Sequence, residues 1–299
     1  GERSGLTGEA IAIRVCGGVM TVQRECVRWI LAVVVSLAAG MATTDHGWAQ
    51  NTPEAQRSNS DRPDDVVGSQ VHVMYVLASD SDDERLDTNG TIAMSIAAAQ
   101  GWFALRSGGR RLRFDTAGGK LDITFRRLSQ SQDELAAHGL FMREAIEAGL
   151  RREGFDARDK IYLVYYGGKG PTCGGGSWPP TVRGSVTALY LHGTPPGAPP
   201  CRSNAFARTA DHVGYWETAA LHETLHSLGA VATCAPNHTR AGHVSDDPRD
   251  LMYAGDKPWR PTMIDVGRDD YFDHGRTGCL DIADSPYLSP RGERAPEPK

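Results

Sequence analysis

Ala220-Leu221-His222-Glu223-Thr224-Leu225-His226-Ser227-Leu228-Gly229 combines an apolar helical pattern with two histidines and a glutamate. Leu221, Leu225 and Leu228 recur at helical spacing and give a helix an apolar side that seats it in a core. His222 and His226 are four residues apart, so both imidazoles leave one face of that helix, one turn apart. Two neutral imidazoles so placed can hold one zinc ion at about 2.0–2.1 Å each. Glu223, beside the first of them, can hold and deprotonate a water on such an ion rather than ligate it. Gly229, three residues after His226, is where the helix must stop and turn. With 10 histidines in 299 residues, this spacing arises in roughly one or two per cent of shuffled sequences. The bland alternative, a solvated polar stripe on a surface helix, is therefore the weaker one.

Around this helix, expected over residues 211–228 with Asp211 as its cap, the chain alternates strand and helix signals. Val71-His-Val-Met-Tyr-Val-Leu77, Lys160-Ile-Tyr-Leu-Val-Tyr-Tyr166 and Val186-Thr-Ala-Leu-Tyr-Leu191 are compact apolar runs and predict buried strands. Leu112 to Phe114 and Leu121 to Phe125 predict strands about a Gly118-Gly119 turn. Ile92, Ile96, Ala99 and Phe103 predict a helix over 91–106, ended by Gly108-Gly109. Ser131-Gln-Asp-Glu134 is a capping box opening a helix that carries Leu135, Met142, Ile146 and Leu150. Intermixed strands and helices, with no internal repeat, predict one α/β or α+β domain over residues 69–284. Polar residues 51–68 are expected to be a linker or short pro-segment, and residues 285–299 a Pro-rich polar tail.

The 32 basic and 37 acidic residues leave a net charge of -5. A nucleic-acid partner is not expected, because the basic footprint it needs is missing from the whole chain. Trp29 to Gly40 is apolar for 12 residues, with Arg24 and Arg28 before it and small residues after it. That pattern predicts a secretory signal peptide within residues 20–50. A spanning helix needs about 20 apolar residues, so an uncleaved membrane anchor is the alternative, and a membrane is a partner only in that case. Met20 is the expected start, which makes residues 1–19 an upstream extension. Cys16 and Cys26 fall in or before the signal. An exported chain would keep Cys173, Cys201, Cys234 and Cys279, enough for two disulfides in any of three connectivities. Cys173 and Cys201 flank a Gly/Pro-rich loop, and Cys234 and Cys279 bracket the last region, so those are the expected pairs. Free thiols or a thiolate zinc site would be the alternative, but no CxxC spacing exists.

His222-Glu-Thr-Leu-His226-Ser-Leu-Gly229, followed by Leu251-Met252-Tyr253, resembles the metzincin metallopeptidases. The specific match covers about 30 residues; the rest agrees in layout. The resemblance implies a zincin-like catalytic domain with a mixed twisted sheet, an active-site helix and a Met-turn. It implies that His222 and His226 bind zinc, that Glu223 is the general base, that Gly229 turns the chain and that Met252 lies beneath the metal. It implies cleavage of a protein or peptide substrate through a zinc-bound water, with the strand from Val186 to Leu191 as the edge that pairs with an extended substrate. The chain departs from the family where a third histidine should follow the glycine by three residues: Ala232 stands there. The insertion Thr233-Cys-Ala-Pro-Asn-His-Thr-Arg-Ala-Gly242 separates that position from the next good ligand, and the run Gly229-Ala-Val followed by Ala235-Pro236, then Gly242-His243 and Asp250-Leu-Met252, resembles secreted bacterial metzincin-like proteins with a stretched zinc loop. That likeness assigns His243 as third ligand, with His238, Asp246 and Asp247 as alternatives. Tyr253 is read as structural.

Other chemistries fit less well. A thermolysin-like site takes a later glutamate, but the next one after Glu223 is Glu293 in the tail. Gly167-Gly-Lys-Gly170 and Gly174-Gly-Gly176 lack phosphate-loop spacing and are expected to be turns near the cleft. No GxSxG surrounds Ser177 or Ser185. Asp265, Asp269, Asp270 and Asp273 could hold calcium but lack EF-hand spacing, so a solvated acidic surface is the expectation. Trp178 and Tyr190 could line a cleft, with core packing the simpler role. His72, His138, His192, His212 and His274 are read as structural. Two further functions are compatible with the sequence: a zinc hydrolase of a non-protein or cell-wall amide, and a catalytically silent zincin-fold binding module.

Overall fold

The computed structural model describes residues 56–177 and 185–290. The expected signal segment, Cys16, Cys26, Trp178 and residues 291–299 of the tail lie outside them. In chain order the elements are β1 (Gln70–Leu77), α1 (Thr91–Arg106), β2 (Arg111–Leu112), β3 (Thr116–Ala117), β4 (Lys120–Leu121), β5 (Ile123–Arg127), α2 (Gln132–Ala136), α3 (Met142–Arg152), β6 (Lys160–Tyr166), β7 (Gly174–Gly175), β8 (Val186–Tyr190), α4 (Tyr215–Leu228) and β9 (Leu288–Ser289). One five-stranded sheet has the order β5-β1-β6-β8-β7; its first four strands run parallel and β7 runs antiparallel to β8. The architecture is therefore mixed α/β around a mixed sheet. Among the described residues no helix is long and apolar enough to cross a membrane.

The continuous apolar runs of β1 and β6 are explained by helices on both sheet faces, which leave every residue of the two strands buried. Val71, Val73, Tyr75 and Leu77 point to one face and pack with Ile92 and Ile96 of α1 and Trp216, Ala219 and Ala220 of α4. Met74 and Val76 point to the other and pack with Met142, Ile146 and Leu150 of α3. A third core lies under the irregular C-terminal region, where Leu221 and Leu225 of α4 meet Trp102 and Phe103 of α1, Val244, Leu251, Met252, Tyr271 and Phe272. Both expected disulfides form, Cys173–Cys201 and Cys234–Cys279.

Three expectations are corrected. The helix opening at Ser131 has its capping box but breaks after α2: Gly139 takes φ 55° in a short 3-10 turn before α3 begins. The helix expected from Asp211 starts four residues later. Gly214 is extended, and Glu217 reaches back to accept its N–H at 2.9 Å, so Gly214 occupies the cap position. Thirdly, β8 is not an edge strand, because Gly174 and Gly175 of β7 pair with its Leu189 and Ala188.

Residues 57–65, expected within a linker or pro-segment, are fastened to the body. Arg57 pairs with Asp83 and Asp87, and Arg62 with the buried Asp122. Lys160 gathers Asp61 and Asp64 at 2.7 Å each and Asp115 at 2.8 Å. His72 completes this network at 2.7 Å from Asp115 and 2.9 Å from Thr124. Burial alone would raise the Asp115 pKa, but hydrogen bonds from His72 and Lys160 outweigh it and hold the carboxyl below its usual range.

Candidate metal centre

The final turns of α4 present His222 and His226 on one face, and a turn of chain brings His243 up to meet them. The three Nε2 atoms form a triangle with sides of 3.1 Å (His222–His226), 3.1 Å (His226–His243) and 3.2 Å (His222–His243). Two nitrogens on a tetrahedral zinc ion at about 2.0–2.1 Å stand about 3.3 Å apart, so the triangle has the size of a three-imidazole metal site. These three residues can hold a metal ion. Burial, with like charge on His243 second, pushes the His222 pKa down to about 3; burial likewise lowers His226 and His243. The rings are therefore neutral, the form that binds a metal.

Local chain geometry sets each ring. Gly229 ends α4 in the left-handed conformation, φ 91°, with its N–H returned to His226 O. His222 Nδ1–H donates to Leu251 O at 2.7 Å, which leaves Nε2 as the lone-pair atom aimed at the centre. His243 Nδ1 contacts Arg240 O at 3.3 Å. Asp250 holds the turn from below: its Oδ1 accepts the Met252 N–H at 2.7 Å and the Tyr271 hydroxyl at 2.8 Å. The next residue after His243 is tied to the same turn, Val244 N–H donating to Met252 O at 3.1 Å. One short segment, 250–253, thus places two of the three rings. Met252 is fully buried in the core beneath this region. The Tyr253 hydroxyl accepts the Lys257 N–H at 2.9 Å, an anchor for the following loop.

Glu223 projects into the same cleft, a space of about 380 Å³ walled by Arg143, Gly174, Gly175, Gly176, Tyr190, His226 and His243. A smaller continuation of about 210 Å³ lies between Tyr215, His222, Glu223, Tyr253 and Trp259. Burial pushes the Glu223 pKa up to about 8, with Arg143 pulling against it, so its carboxyl takes and gives a proton near neutral pH. Edge strand β7 presses on this side chain. A Cβ at Gly174 would lie 2.5 Å from Glu223 Oε1, and one at Gly176 would lie 2.6 Å from Glu223 O and 2.8 Å from His226 Cβ.

The alternative third ligands stand elsewhere. His238 turns its Nδ1 to Val231 O at 2.8 Å, Asp247 is taken by Arg249, and Asp246 is exposed. The acidic cluster is not a solvated surface as expected: Asp265 and Asp270 are buried, and Asp265 Oδ2 accepts the N–H groups of Tyr271 and Phe272 at 2.8 Å each. Asp265, Asp269 and Asp270 lie close enough together to hold an ion, but those carboxylates already organise the backbone of the turn. Arg143, Tyr215 and Trp259 carry no spacing signal that would have placed them at the cleft. The run Gly174-Gly-Gly176 does carry one, since three glycines in a row permit a close backbone approach. No protein-family model matches the chain, and no curated protein matches it.

Proposed function

We propose that the protein is an exported zinc-dependent endopeptidase of the metzincin type. The observation that carries the proposal is the convergence of three neutral imidazoles on one point in a cleft shared with the Glu223 carboxyl. His222, His226 and His243 would hold the ion. A zinc ion held there would supply Lewis acidity, polarising a carbonyl and acidifying an adjacent water at neutral pH. Glu223 accepts the proton of the attacking water at a carboxylate oxygen and returns it to the leaving amine. β7 ends the sheet on the cleft side and its Gly174 and Gly175 line the cleft, a placement that supports an extended peptide substrate. Two disulfides and the signal-like Trp29 to Gly40 segment support export.

Glu223→Gln tests the assignment. The variant should keep the wild-type metal content while peptide hydrolysis falls by roughly 10²- to 10⁴-fold. Unchanged turnover would remove Glu223 from the chemistry, and a wild-type protein that cleaves no member of a peptide library would remove the peptidase reading.

A further inference from the structure

Tyr215 and Trp259 meet edge to face with ring centroids 5.9 Å apart, and together they form a wall with two sides. One side faces His222, Glu223 and His243. The other lines a groove of about 890 Å³ outside the histidine cleft. That volume lies within the range of ligand-binding clefts. The second wall of the groove is a face of α1 at Ala98, Gly101, Trp102 and Leu105, residues that share one side of a helix. Ala98 and Gly101 are small and open its floor, and Leu105 is 80% exposed at its rim. A large exposed leucine beside a tryptophan and Val213 makes an apolar seat.

The charge around that seat has a sign. Arg106 lies with its guanidinium 4.3 Å above the Trp102 ring and donates Nε–H to Thr262 O at 2.6 Å. Arg260 stands exposed on the loop that closes the groove. Among the described residues neither arginine forms an ion pair with a carboxylate, and Asp211 is the one acidic residue in the lining. A positive groove in a chain of net charge -5 is a local arrangement, not the average of the surface.

We propose that this groove is a second substrate-binding site: it receives a part of the peptide outside the residues that flank the cut and selects a large apolar side chain next to acidic ones. The inference rests on the peptidase reading and deepens it. Tyr215 and Trp259 line both spaces, so the groove lies beside the cleft, within reach of one extended chain that passes the two rings. The apolar seat takes the large side chain, and Arg106 and Arg260 meet its acidic neighbours. Binding energy gained there holds the chain without taking part in the chemistry, so it lowers KM and leaves kcat alone.

The test uses Leu105→Ser and Arg260→Glu, two exposed positions outside the catalytic machinery, in the full chain. Peptides carry a common cleavable stretch, with or without an extension of Leu or Phe flanked by Glu, placed on either side. Wild type should show a KM about tenfold lower for an extended peptide than for the short one. Each variant should lose that advantage, with kcat and the KM of the short peptide unchanged. Fluorescence anisotropy of labelled extended peptide on Glu223→Gln protein reads the groove without turnover, and adding Arg260→Glu should weaken that binding about tenfold. Cleavage that ignores both extension and variants overturns the groove while sparing the peptidase reading. Absence of any cleavage, with groove binding intact, overturns the peptidase reading instead. Equal binding of acidic and lysine-substituted extensions would overturn the charge selection, and binding of neither would overturn the groove.

Discussion

Replacing Gly174 by alanine separates catalysis from folding at one atom. The added Cβ would stand 2.5 Å from Glu223 Oε1 and 2.8 Å from its Cγ and Cδ. Ordinary carbon contacts begin near about 3.5 Å, so the carboxyl end must retreat by close to an ångström. The atoms in the way, Glu223 Cγ, Cδ and Oε1, belong to a side chain that can rotate about its own bonds, and alanine is at ease in the extended backbone of β7. The stability cost should therefore stay below about 1 kcal/mol, at the low end of overpacking. Catalysis tolerates less: a misplacement of about 1 Å in a reacting group costs on the order of 10²-fold. Gly176→Ala is the contrasting control. Its Cβ would meet Glu223 O at 2.6 Å and His226 Cβ at 2.8 Å, atoms fixed by α4, and should cost about 1–3 kcal/mol. The assay is kcat/KM on a cleaved peptide together with urea melts and metal content of both variants. Gly174→Ala with wild-type kcat/KM would refute the placement of Glu223 against β7. So would a Gly174→Ala protein as destabilised as Gly176→Ala.

Three further outcomes follow from the geometry. His243→Ala should drop bound metal well below one ion per chain by elemental analysis, whereas His238→Ala, whose ring is engaged with Val231 O, should not; the opposite result would move the third ligand. Replacing Cys173 and Cys201 together by serine removes a closure across 28 residues and should cost about 3.6 kcal/mol on the chain-entropy scale; a urea midpoint unchanged by the substitution would contradict it. Asp115, with Asp61, Asp64, His72, Lys160 and the Arg62–Asp122 pair around it, has its pKa held below the usual value in the folded chain. Its ionised form therefore adds stability above about pH 4 that is lost as the pH falls further. Asp115→Asn should flatten the fall of the urea midpoint below about pH 4; parallel curves would show that the network does not drive acid unfolding.

What could be read in the chain depended on whether a local pattern carried the structure. Long apolar runs placed β1 and β6, and the four-residue histidine spacing placed two rings on α4, because period and burial coincide there. The start of α4 was not legible, since the cap is fixed by a long-range act: Glu217 binds Gly214 while also accepting Ser95 Oγ at 2.6 Å and Ala207 N–H at 3.1 Å. β7 escaped notice because two glycines carry no hydrophobic alternation, and with it went the true edge of the sheet. The joining of His243 to the pair depends on the backbone link from Val244 to Met252, a contact that no spacing within the loop encodes.

α4 gives residues to two cores at once, Trp216, Ala219 and Ala220 on the sheet side and Leu221 and Leu225 on the C-terminal side. A helix shared in this way cannot melt out of one half and persist in the other. Heating the protein should dissolve sheet, C-terminal region and histidine triangle in one cooperative event, and an ion bound to the triangle would raise the temperature of that whole event rather than of a local patch.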